Sequence, residues 1–429
     1  MSEPHPEPPG ARPRAGEPHK APAPVETFTR FSTRQRIVWA LLLAALASIG
    51  PFAIDTYLPA FDGIGRSLQS TPVQMQQSLS IYLIAFAVMN LFHGSISDAI
   101  GRKPVVLTGL LVFGLGSAGC ALAQSIEVFL FFRFMQGLCA GAGMVVSRAM
   151  IRDLFPPDEA QRMLSLMTVF FGVAPAIAPW IGGWVYVRLG WEAVFWFLSA
   201  LGFLLCALHG RLLPESLAPA ARRPLAPGPM LRGYRTMAGS PRFILLCLSS
   251  AVPFNGFFLY VLGAPQFLGV HLQLAPDEYY GLFFATVAGI MLGSALSGRL
   301  AGRITDARQV RIGLWIGALA CALNLLLTLW QPGKPIAAIA PVALYTLGWA
   351  LVVPAVTLRA IDLYPSRRGM AASMQSFIGG VLNSVVAGLV VPAVMHSLLA
   401  MAIVSAGCLA VGWITWVLHH HLPHRVLRD

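Results

Sequence analysis

Charged side chains are scarce in this 429-residue chain. Lys, Arg, Asp and Glu together make up 11% of the residues, whereas 56% are hydrophobic, and the mean hydropathy is +0.68. A soluble domain carries about 25% charged residues, and a soluble protein of this composition would expose large apolar patches. The scarcity of charge therefore favours a membrane protein over a soluble globular protein.

Paired cysteines and metal-ligand patterns are missing as well. The six cysteines lie singly in apolar runs without a CxxC pair, so we expect neither a disulfide framework nor a metal site. The histidines at 419–421 and 424 are interpreted as a solvated helix end, with metal binding as the weaker alternative. No G-x-x-x-x-G-K-[ST] loop occurs, so an ATP-driven permease would need a separate ATPase. No nucleophile–base constellation supports a membrane-embedded enzyme, and no cofactor is expected.

Long apolar runs dominate the chain from about residue 36 onward. Each run has roughly 20 residues, enough to cross about 30 Å of hydrocarbon as a helix. The predicted spans are 36–60, 75–97, 104–124, 127–148, 162–187, 192–213, 242–268, 278–301, 310–330, 336–359, 367–392 and 396–418. The sequence therefore predicts an all-α membrane protein with 12 transmembrane helices in two six-helix bundles.

The long connection in the middle of the chain divides it into two halves. We predict an N-terminal bundle at 34–213, a cytoplasmic linker at 214–241 and a C-terminal bundle at 242–420. Residues 1–33 contain eight prolines within the first 24 positions, which predicts a disordered cytoplasmic tail. Residues 421–429 form a second, short cytoplasmic tail.

The basic residues are distributed unevenly over the predicted connections. Of the 30 Lys and Arg residues, only Arg66, Arg188 and Lys334 fall on the side opposite the termini, and Arg133 falls inside a span. Cytoplasmic loops are enriched in Lys and Arg, so both termini are predicted to be cytoplasmic. The formal net charge of +12 then reflects loops that face an anionic leaflet, and no nucleic-acid partner is expected.

Two opposite charges lie at similar depth in the predicted membrane. Asp55 stands five residues before the outer end of the first span, about 8 Å deep, and Arg133 stands about 9 Å into the fourth. An unpaired charge there costs several kcal/mol, and such residues usually face a cavity and carry function. We expect Asp55 and Arg133 to meet and to take part in proton coupling. The alternative is a structural ion pair that only fixes helix packing.

The turn between the second and third spans reads GSISDAIGRKP (94–104). It resembles the G-x-x-x-D-x-x-G-R-K signature of the major facilitator superfamily, through the residues that we call the cytoplasmic latch: Gly94, Asp98, Gly101, Arg102 and Lys103. Asp98 can face the N-terminus of span eleven, where a negative charge favours the helix dipole. Arg102 can face the C-terminus of span four. Such a latch would stabilise the state closed to the cytoplasm.

Further segments narrow the resemblance to one subfamily. RFMQGLCAGAG (133–143) is similar to the fourth-span motif, and GVAPAIAPWIGG (172–183) is similar to the fifth-span antiporter motif, although Ala178 stands where that motif has Gly. DTYLPAF and FFLYVLGAPQF resemble the bicyclomycin/chloramphenicol-resistance (Bcr/CflA) type of drug:proton antiporter. The antiporter-motif residues are Pro175, Pro179, Gly182 and Gly183.

The resemblance implies a monomeric inner-membrane transporter whose central cavity opens alternately to each side. We expect protons to drive export of small, largely apolar drugs or xenobiotics, with proton-coupled uptake or export of a metabolite as the alternative. Clear charges other than Asp55 and Arg133 are missing from the span interiors, which disfavours sugars and phosphates. Candidates for an aromatic and polar substrate cavity are Phe52, Tyr57, Tyr82, Phe86, Gln136, Asn255, Phe258, Tyr260 and Asn383.

Overall fold

The structure, a computed structural model, describes residues 33–422, and this part of the chain forms helices without strands. Nearly all of the two predicted tails, 1–33 and 421–429, lies outside the described residues. The α-helices are α1 (Thr33–Asp55), α2 (Phe61–Ser67), α3 (Pro72–Asn90), α4 (His93–Ile100), α5 (Arg102–Ala121), α6 (Ile126–Leu154), α7 (Pro157–Leu189), α8 (Trp191–Leu212), α9 (Pro227–Ala238), α10 (Pro241–Leu262), α11 (Tyr280–Leu300), α12 (Asp306–Trp330), α13 (Pro335–Asp362), α14 (Arg368–Val385), α15 (Val391–Val394) and α16 (Leu398–His421). Two π-helical segments, Pro265–His271 and Val386–Val390, extend α10 and join α14 to α15.

The number of membrane crossings agrees only in part with the prediction. Ten described segments are long and apolar enough to cross a membrane, and α3 with α4 makes an eleventh if this bent pair is one span. The predicted fifth span lies in α7, which is 33 residues long but is not among these segments, and some of its side chains are not described. A multi-pass helical membrane protein is therefore confirmed, whereas twelve crossings remain a prediction.

The predicted second span is not one continuous helix. α3 and α4 meet at a bend of 51°, where Leu91 and Phe92 bond back three residues instead of four. The Leu91 carbonyl accepts a hydrogen bond of 2.9 Å from the Tyr234 hydroxyl of α9. A side chain that takes a carbonyl out of the helical ladder is a known cause of a kink.

The α-helical hydrogen bonding of the first predicted span is interrupted after Asp55, within an apolar segment that crosses as one, Ile37–Ser67. Pro51 lies inside α1 and has no N–H to continue the ladder. α1 ends at Asp55, and the short 3-10 helix Leu58–Ala60 leads into α2. Asp55 therefore lies at a helix end within the apolar run, where the backbone is irregular.

The two halves contact each other mainly through α3 with α14 and α7 with α11. Gln77 Nε2 donates to the Gly388 carbonyl at 2.9 Å, and the Ser80 hydroxyl lies 3.0 Å from that of Ser384. Gln76 Nε2 donates to the Leu262 carbonyl at 3.2 Å. All three α3 residues lie in the first half of that helix, so the halves are bonded together near the end where α3 begins.

Candidate transport site

Arg133 is fully buried on α6 and packs against two tyrosine rings. Its guanidinium carbon lies 4.3 Å from the centroid of the Tyr57 ring and 4.4 Å from that of Tyr82. The Tyr82 hydroxyl donates to the Gly50 carbonyl at 2.9 Å, and the Tyr57 hydroxyl lies 2.9 Å from Ser78 Oγ, so both rings are fixed in place. A desolvated cation–π contact contributes about 2 kcal/mol. The rings therefore stabilise the buried charge without a carboxylate.

Gln136 connects Arg133 to the neighbouring helix. Arg133 Nη1 donates to Gln136 Oε1 at 2.8 Å, and Gln136 Nε2 donates to Ser117 Oγ of α5 at 2.7 Å. Within the described part of the chain, Nε and Nη2 of Arg133 are buried and have no hydrogen-bond partner. Two donors of this buried cation are thus left without an acceptor in this part of the chain.

Asp55 is buried without a partner of its own. The residue is only 4% exposed, and its carboxyl group makes no hydrogen bond or ion pair with any residue in 33–422. An isolated carboxylate is among the most expensive groups to bury, and in such a setting the group normally takes up a proton. The geometry suits a carboxyl group that gains and loses a proton.

The predicted direct pair between Asp55 and Arg133 is absent from the described residues. Arg133 contacts the two tyrosine rings and Gln136 instead. The two charges nevertheless share one neighbourhood, since Tyr57, which packs on Arg133, follows Asp55 by two residues. The roles of both charges in proton coupling remain predictions.

The two glycines of the antiporter motif lie at two contacts of α7. One contact is with the residue that follows Asp55, and the other is with the second half of the chain. A Cβ on Gly182 would collide with the carbonyl of Thr56, the residue after Asp55. A Cβ on Gly183 would come within 2.6 Å of the Pro276 carbonyl in the second half. The prolines of the motif, Pro175 and Pro179, lie inside the same helix. Two adjacent glycines therefore let one helix approach both the surroundings of Asp55 and the interface between the halves.

The predicted substrate-cavity residues divide into two groups. Phe52, Phe86, Phe258 and Asn383 are half-buried, and their assignment to a substrate cavity remains a prediction. The others are buried and already engaged: Tyr57, Tyr82 and Gln136 hold Arg133, Asn255 Nδ2 donates to Asn383 Oδ1 at 3.0 Å, and Tyr260 accepts from Asn324 at 2.7 Å.

Tyr260 in particular belongs to the core of the second half. Its ring packs against Phe267 at 4.9 Å between centroids. We therefore correct the placement of Tyr260 from cavity to core.

Helices α10 and α13 form an aromatic cluster that we did not predict from the sequence. Phe254 lies 4.8 Å from Phe258 and 5.1 Å from Trp349, and Phe257 lies 5.5 Å from Trp349, between ring centroids. The spacing of the three phenylalanines at i, i+3 and i+4 marks one helix face and was visible in the sequence. Trp349 is 91 residues away from Phe258 in the chain, and only the fold brings it there.

The cytoplasmic latch is formed in part as predicted. Arg102 Nε lies 3.2 Å from Asp153 Oδ2 at the C-terminal end of α6, which agrees with the expected contact to span four. Asp98 differs from the expectation. Its carboxylate pairs with Arg102 one turn away and forms no ion pair or hydrogen bond with α14 among the described residues. The half of the latch that would join the two bundles is open.

Glu215, in the linker, completes the latch and was missed in the sequence. Its carboxylate accepts hydrogen bonds from the backbone N–H groups of Arg102 at 3.0 Å and Lys103 at 3.2 Å, the first two residues of α5. Gly101, at φ +110°, precedes this helix and has no side chain to cap it. Arg102 places a cation at the positive end of the α5 dipole, and Glu215 offsets it.

The linker helix α9 joins the two halves near the latch. The Tyr234 hydroxyl bonds to the Leu91 carbonyl of the first half, and the neighbouring Gly233 packs against the side chain of Met370 of α14 in the second half. Ser95 lies 3.3 Å from the sulfur of Met230. α9 therefore lies between the ends of α4 and α14, which the closed latch would bring together.

Comparisons with known proteins agree with this architecture. The family model of the Major Facilitator Superfamily matches residues 43–388. The chain is 27% identical to the bicyclomycin resistance protein homolog of Haemophilus influenzae, over 89% of this chain and 96% of that protein. It is 28% identical to the chloramphenicol resistance protein of Pseudomonas aeruginosa, over 89% and 92%. These relatives confirm the resemblance to the Bcr/CflA type.

Among solved structures, a bacterial homolog of the human lysosomal transporter Spinster superposes with a TM-score of 0.68 at 16% identity, covering 91% of this chain and 97% of that one. This likeness supports the fold. Together with the family match, it identifies a multi-pass bacterial membrane transporter of small molecules rather than an enzyme, and the chain belongs to the major facilitator superfamily.

Proposed function

We propose that this protein is a secondary transporter that exports small, largely apolar drugs in exchange for protons. The observation that carries the proposal is Asp55, a carboxyl group only 4% exposed and without a partner in residues 33–422. Arg133, the cation expected to neutralise it, is held by tyrosine rings and Gln136. Asp55 is therefore protonated in this conformation, because the alternative is an isolated buried carboxylate.

We infer that this conformation is closed on the outer side of the membrane. With both termini in the cytoplasm, as the distribution of Lys and Arg supports, α3 begins on the outer side. The bonds from Gln76, Gln77 and Ser80 to the second half then close the outer side. On the inner side, Asp98 does not reach α14. In this proposal Asp55 therefore carries a proton while the outer side is closed. This is the state that we expect after a proton has entered from outside.

Coupling runs through the contact of α7 with Thr56. Loss of the proton from Asp55 creates a charge beside Thr56, against which Gly182 packs without space for a methyl group. Gly183 on the same helix touches Pro276 of the opposite half. A shift of the α1 end therefore reaches the interface between the halves directly. Each proton that enters contributes about 2.3 kcal/mol per 100 mV of membrane potential.

The substrate class follows from the walls of the site. Phe52, Phe86 and Phe258 are half-buried, and Phe254 and Trp349 extend the aromatic surface. The half-buried amide of Asn383 supplies a polar contact among these rings. Such a lining favours small aromatic or apolar compounds that carry a hydrogen-bond acceptor. The names of the relatives make chloramphenicol a suitable probe.

Proton release on binding of chloramphenicol to the detergent-solubilised protein tests the proposal. Asp55→Asn keeps the size of the side chain but cannot titrate, so it should bind chloramphenicol without releasing protons and should not export it uphill in proteoliposomes. Asp62→Asn, an exposed carboxylate on α2, is the matched control and should behave as the wild type.

Three results would contradict the proposal. Proton release from Asp55→Asn at wild-type stoichiometry would remove Asp55 as the carrier. If Asp55→Asn is unstable and the added change Arg133→Gln restores both folding and export, the two charges have a structural role. If overexpression leaves drug susceptibility unchanged while a metabolite is transported, the alternative metabolite function holds.

A further inference from the structure

A cavity of about 290 Å³ lies between the two halves of the chain, beside the start of α3. Its wall in the first half is formed by α2 and by the first turns of α3, and its wall in the second half includes Gln266 and Met395. The volume is just below the range of about 300–1,000 Å³ that is typical of ligand pockets. The cavity therefore has room for a molecule smaller than a typical drug.

Hydrogen bonds hold the backbone on both sides of this cavity. Gln76, which lines it, donates through Nε2 to the Leu262 carbonyl of the second half at 3.2 Å. On the opposite wall, His271 Nε2 lies 2.8 Å from the Met395 carbonyl. The cavity is therefore a defined part of the conformation in which the halves are in contact on this side.

Two opposite charges line the cavity on the side of the first half. Asp62 and Arg66 are both exposed and lie one turn apart on α2, so they share one face of that helix. Within residues 33–422, neither side chain forms an ion pair or a hydrogen bond. A carboxylate and a guanidinium group therefore lie side by side, and each can take a partner of opposite charge.

The rest of the lining is largely apolar. Phe61, Met75 and Met395 are buried side chains that contribute to it, and Gln266 is half-buried. A ligand with a single charge would meet one like charge at the cavity, which is unfavourable. An uncharged ligand would take water away from both charges without replacing it. The lining therefore favours a ligand with one cationic group, one anionic group and an apolar part.

We propose that this cavity binds the zwitterion of an apolar α-amino acid from the outer side of the membrane. The ammonium group of the amino acid faces Asp62, and its carboxylate faces the planar fork of Arg66. The two charged groups of an α-amino acid are attached to one carbon atom, which suits two side chains one helical turn apart. The apolar side chain of the ligand packs on Phe61, Met75 and Met395.

Occupation of the cavity favours contact between the halves on this side. Because the walls belong to both halves, their separation divides the cavity, and a ligand shifts a protein towards the state that it binds better. An amino acid in the outer medium should therefore slow export without competing for the transport site. The outer placement rests on the proposed orientation of the termini, and the binding itself does not depend on which compound is exported.

A ligand-observed NMR titration of the full-length protein in detergent tests the site, with L-phenylalanine as the probe. L-phenylalaninamide lacks the carboxylate, and N-acetyl-L-phenylalanine lacks the ammonium group. The wild type should bind L-phenylalanine up to about fivefold more tightly than either analogue, the factor that corresponds to an exposed charge pair. L-alanine should bind more weakly than L-phenylalanine because it cannot cover the apolar wall.

Two single variants assign the charges to the two ends of the ligand. Arg66→Gln should lose the preference for L-phenylalanine over the amide and keep the preference over the N-acetyl compound, and Asp62→Asn should do the reverse. The control is Glu127→Gln with Lys334→Gln, which removes an exposed acid and an exposed cation that are predicted on the same side of the membrane. This control should keep both preferences.

The outcomes separate a built site from general surface charge. Absence of saturable L-phenylalanine binding by the wild type overturns the proposal, as does equal binding of L-phenylalanine and its two analogues or equal loss of preference in the control. In proteoliposomes, L-phenylalanine at the outer face should lower the maximal rate of chloramphenicol export and leave KM unchanged; a rise in KM alone would mean competition at the transport site and contradict a separate outer site. If chloramphenicol is not exported at all, the proposed function fails, while the binding preferences still decide this site.

Discussion

Replacement of Glu215 by Gln should destabilise the cytoplasmic end of α5. The carboxylate accepts from the backbone N–H groups of Arg102 at 3.0 Å, Lys103 at 3.2 Å and Leu217 at 3.0 Å. Helix α5 begins after Gly101 and has no side-chain cap of its own. A residue 113 positions away from Arg102 therefore does the work that an Asp or Ser normally does at the start of a helix.

The size of the effect follows from the charge that is lost. Gln can still accept one hydrogen bond, but bonds to a charged acceptor contribute about 1.5–3 kcal/mol against about 0.5–1.5 kcal/mol for neutral ones. A carboxylate near a helix N-terminus adds about 0.3–1 kcal/mol through the dipole. Because the Glu215 carboxylate is partly solvated, we expect a loss of about 1–2 kcal/mol for Glu215→Gln.

Thermal unfolding in detergent, combined with a double-mutant cycle, checks the reasoning. If Glu215 offsets the cation that Arg102 places at the α5 dipole, then Glu215→Gln should cost less once Arg102→Gln is present, by about 0.5–1 kcal/mol. Glu192→Gln is the control, since Glu192 lies in the first turn of α8 without a linker contact, and only the small dipole term should be lost. Additive effects of the Glu215 and Arg102 changes would refute the compensation argument.

Two further predictions concern contacts between the halves. Tyr234→Phe removes the hydroxyl that bonds α9 to the first half. Spin labels at Ile100→Cys and Gly369→Cys, in a background without the native cysteines, should then shift toward shorter separations in double electron–electron resonance as the cytoplasmic side closes. An unchanged distribution would show that α9 does not hold the ends apart. Gly183→Ala should impair export and weaken outer closure because its Cβ would come within 2.6 Å of a carbonyl in the opposite half. On the same helix, a Cβ at Gly172 would meet nothing within 4 Å, so Gly172→Ala should be neutral or should stabilise the protein by up to about 1 kcal/mol. Equal effects of the two changes would contradict the close-approach argument.

The parts of the fold that follow from local pattern were predictable from the sequence. Apolar runs of about 20 residues define most of the spans because each helix must satisfy its own backbone in lipid. The contact of Arg102 with the end of α6 could be expected because the motif fixes a cation at a turn beside that helix end. The bend between α3 and α4 could not, since it depends on Tyr234 of the linker, more than 130 residues away from Leu91.

The side-chain contacts of the site were likewise only partly predictable from the sequence. The depths of Asp55 and Arg133 along their spans predicted that the two residues lie in one neighbourhood. Depth does not show, however, on which face of its helix each side chain lies. Tyr57 and Tyr82 were recognised as aromatic residues near the cavity, yet their rings stabilise the Arg133 charge in place of a carboxylate. Tyr57 lies in the turn after α1 and Tyr82 lies on α3, whereas Arg133 lies on α6. Only the packing of these segments therefore shows which charge the two rings stabilise.

Each half has an ion pair between the start of one helix and the end of the next, and the acid and the cation exchange places between the two halves. This exchange explains why only the pair in the first half is suited to a latch. In the second half, Asp306 begins α12 and Arg359 lies in the last turn of α13, 3.6 Å apart; an acid at a helix start and a cation at a helix end both agree with the dipoles. In the first half, Arg102 begins α5 and Asp153 lies at the end of α6, so both charges oppose their dipoles. This arrangement persists because Glu215 and Ser216 of the linker bind the α5 N–H groups and Asp153. A pair that depends on a linker can be released when the linker moves, whereas the pair in the second half is stable by itself.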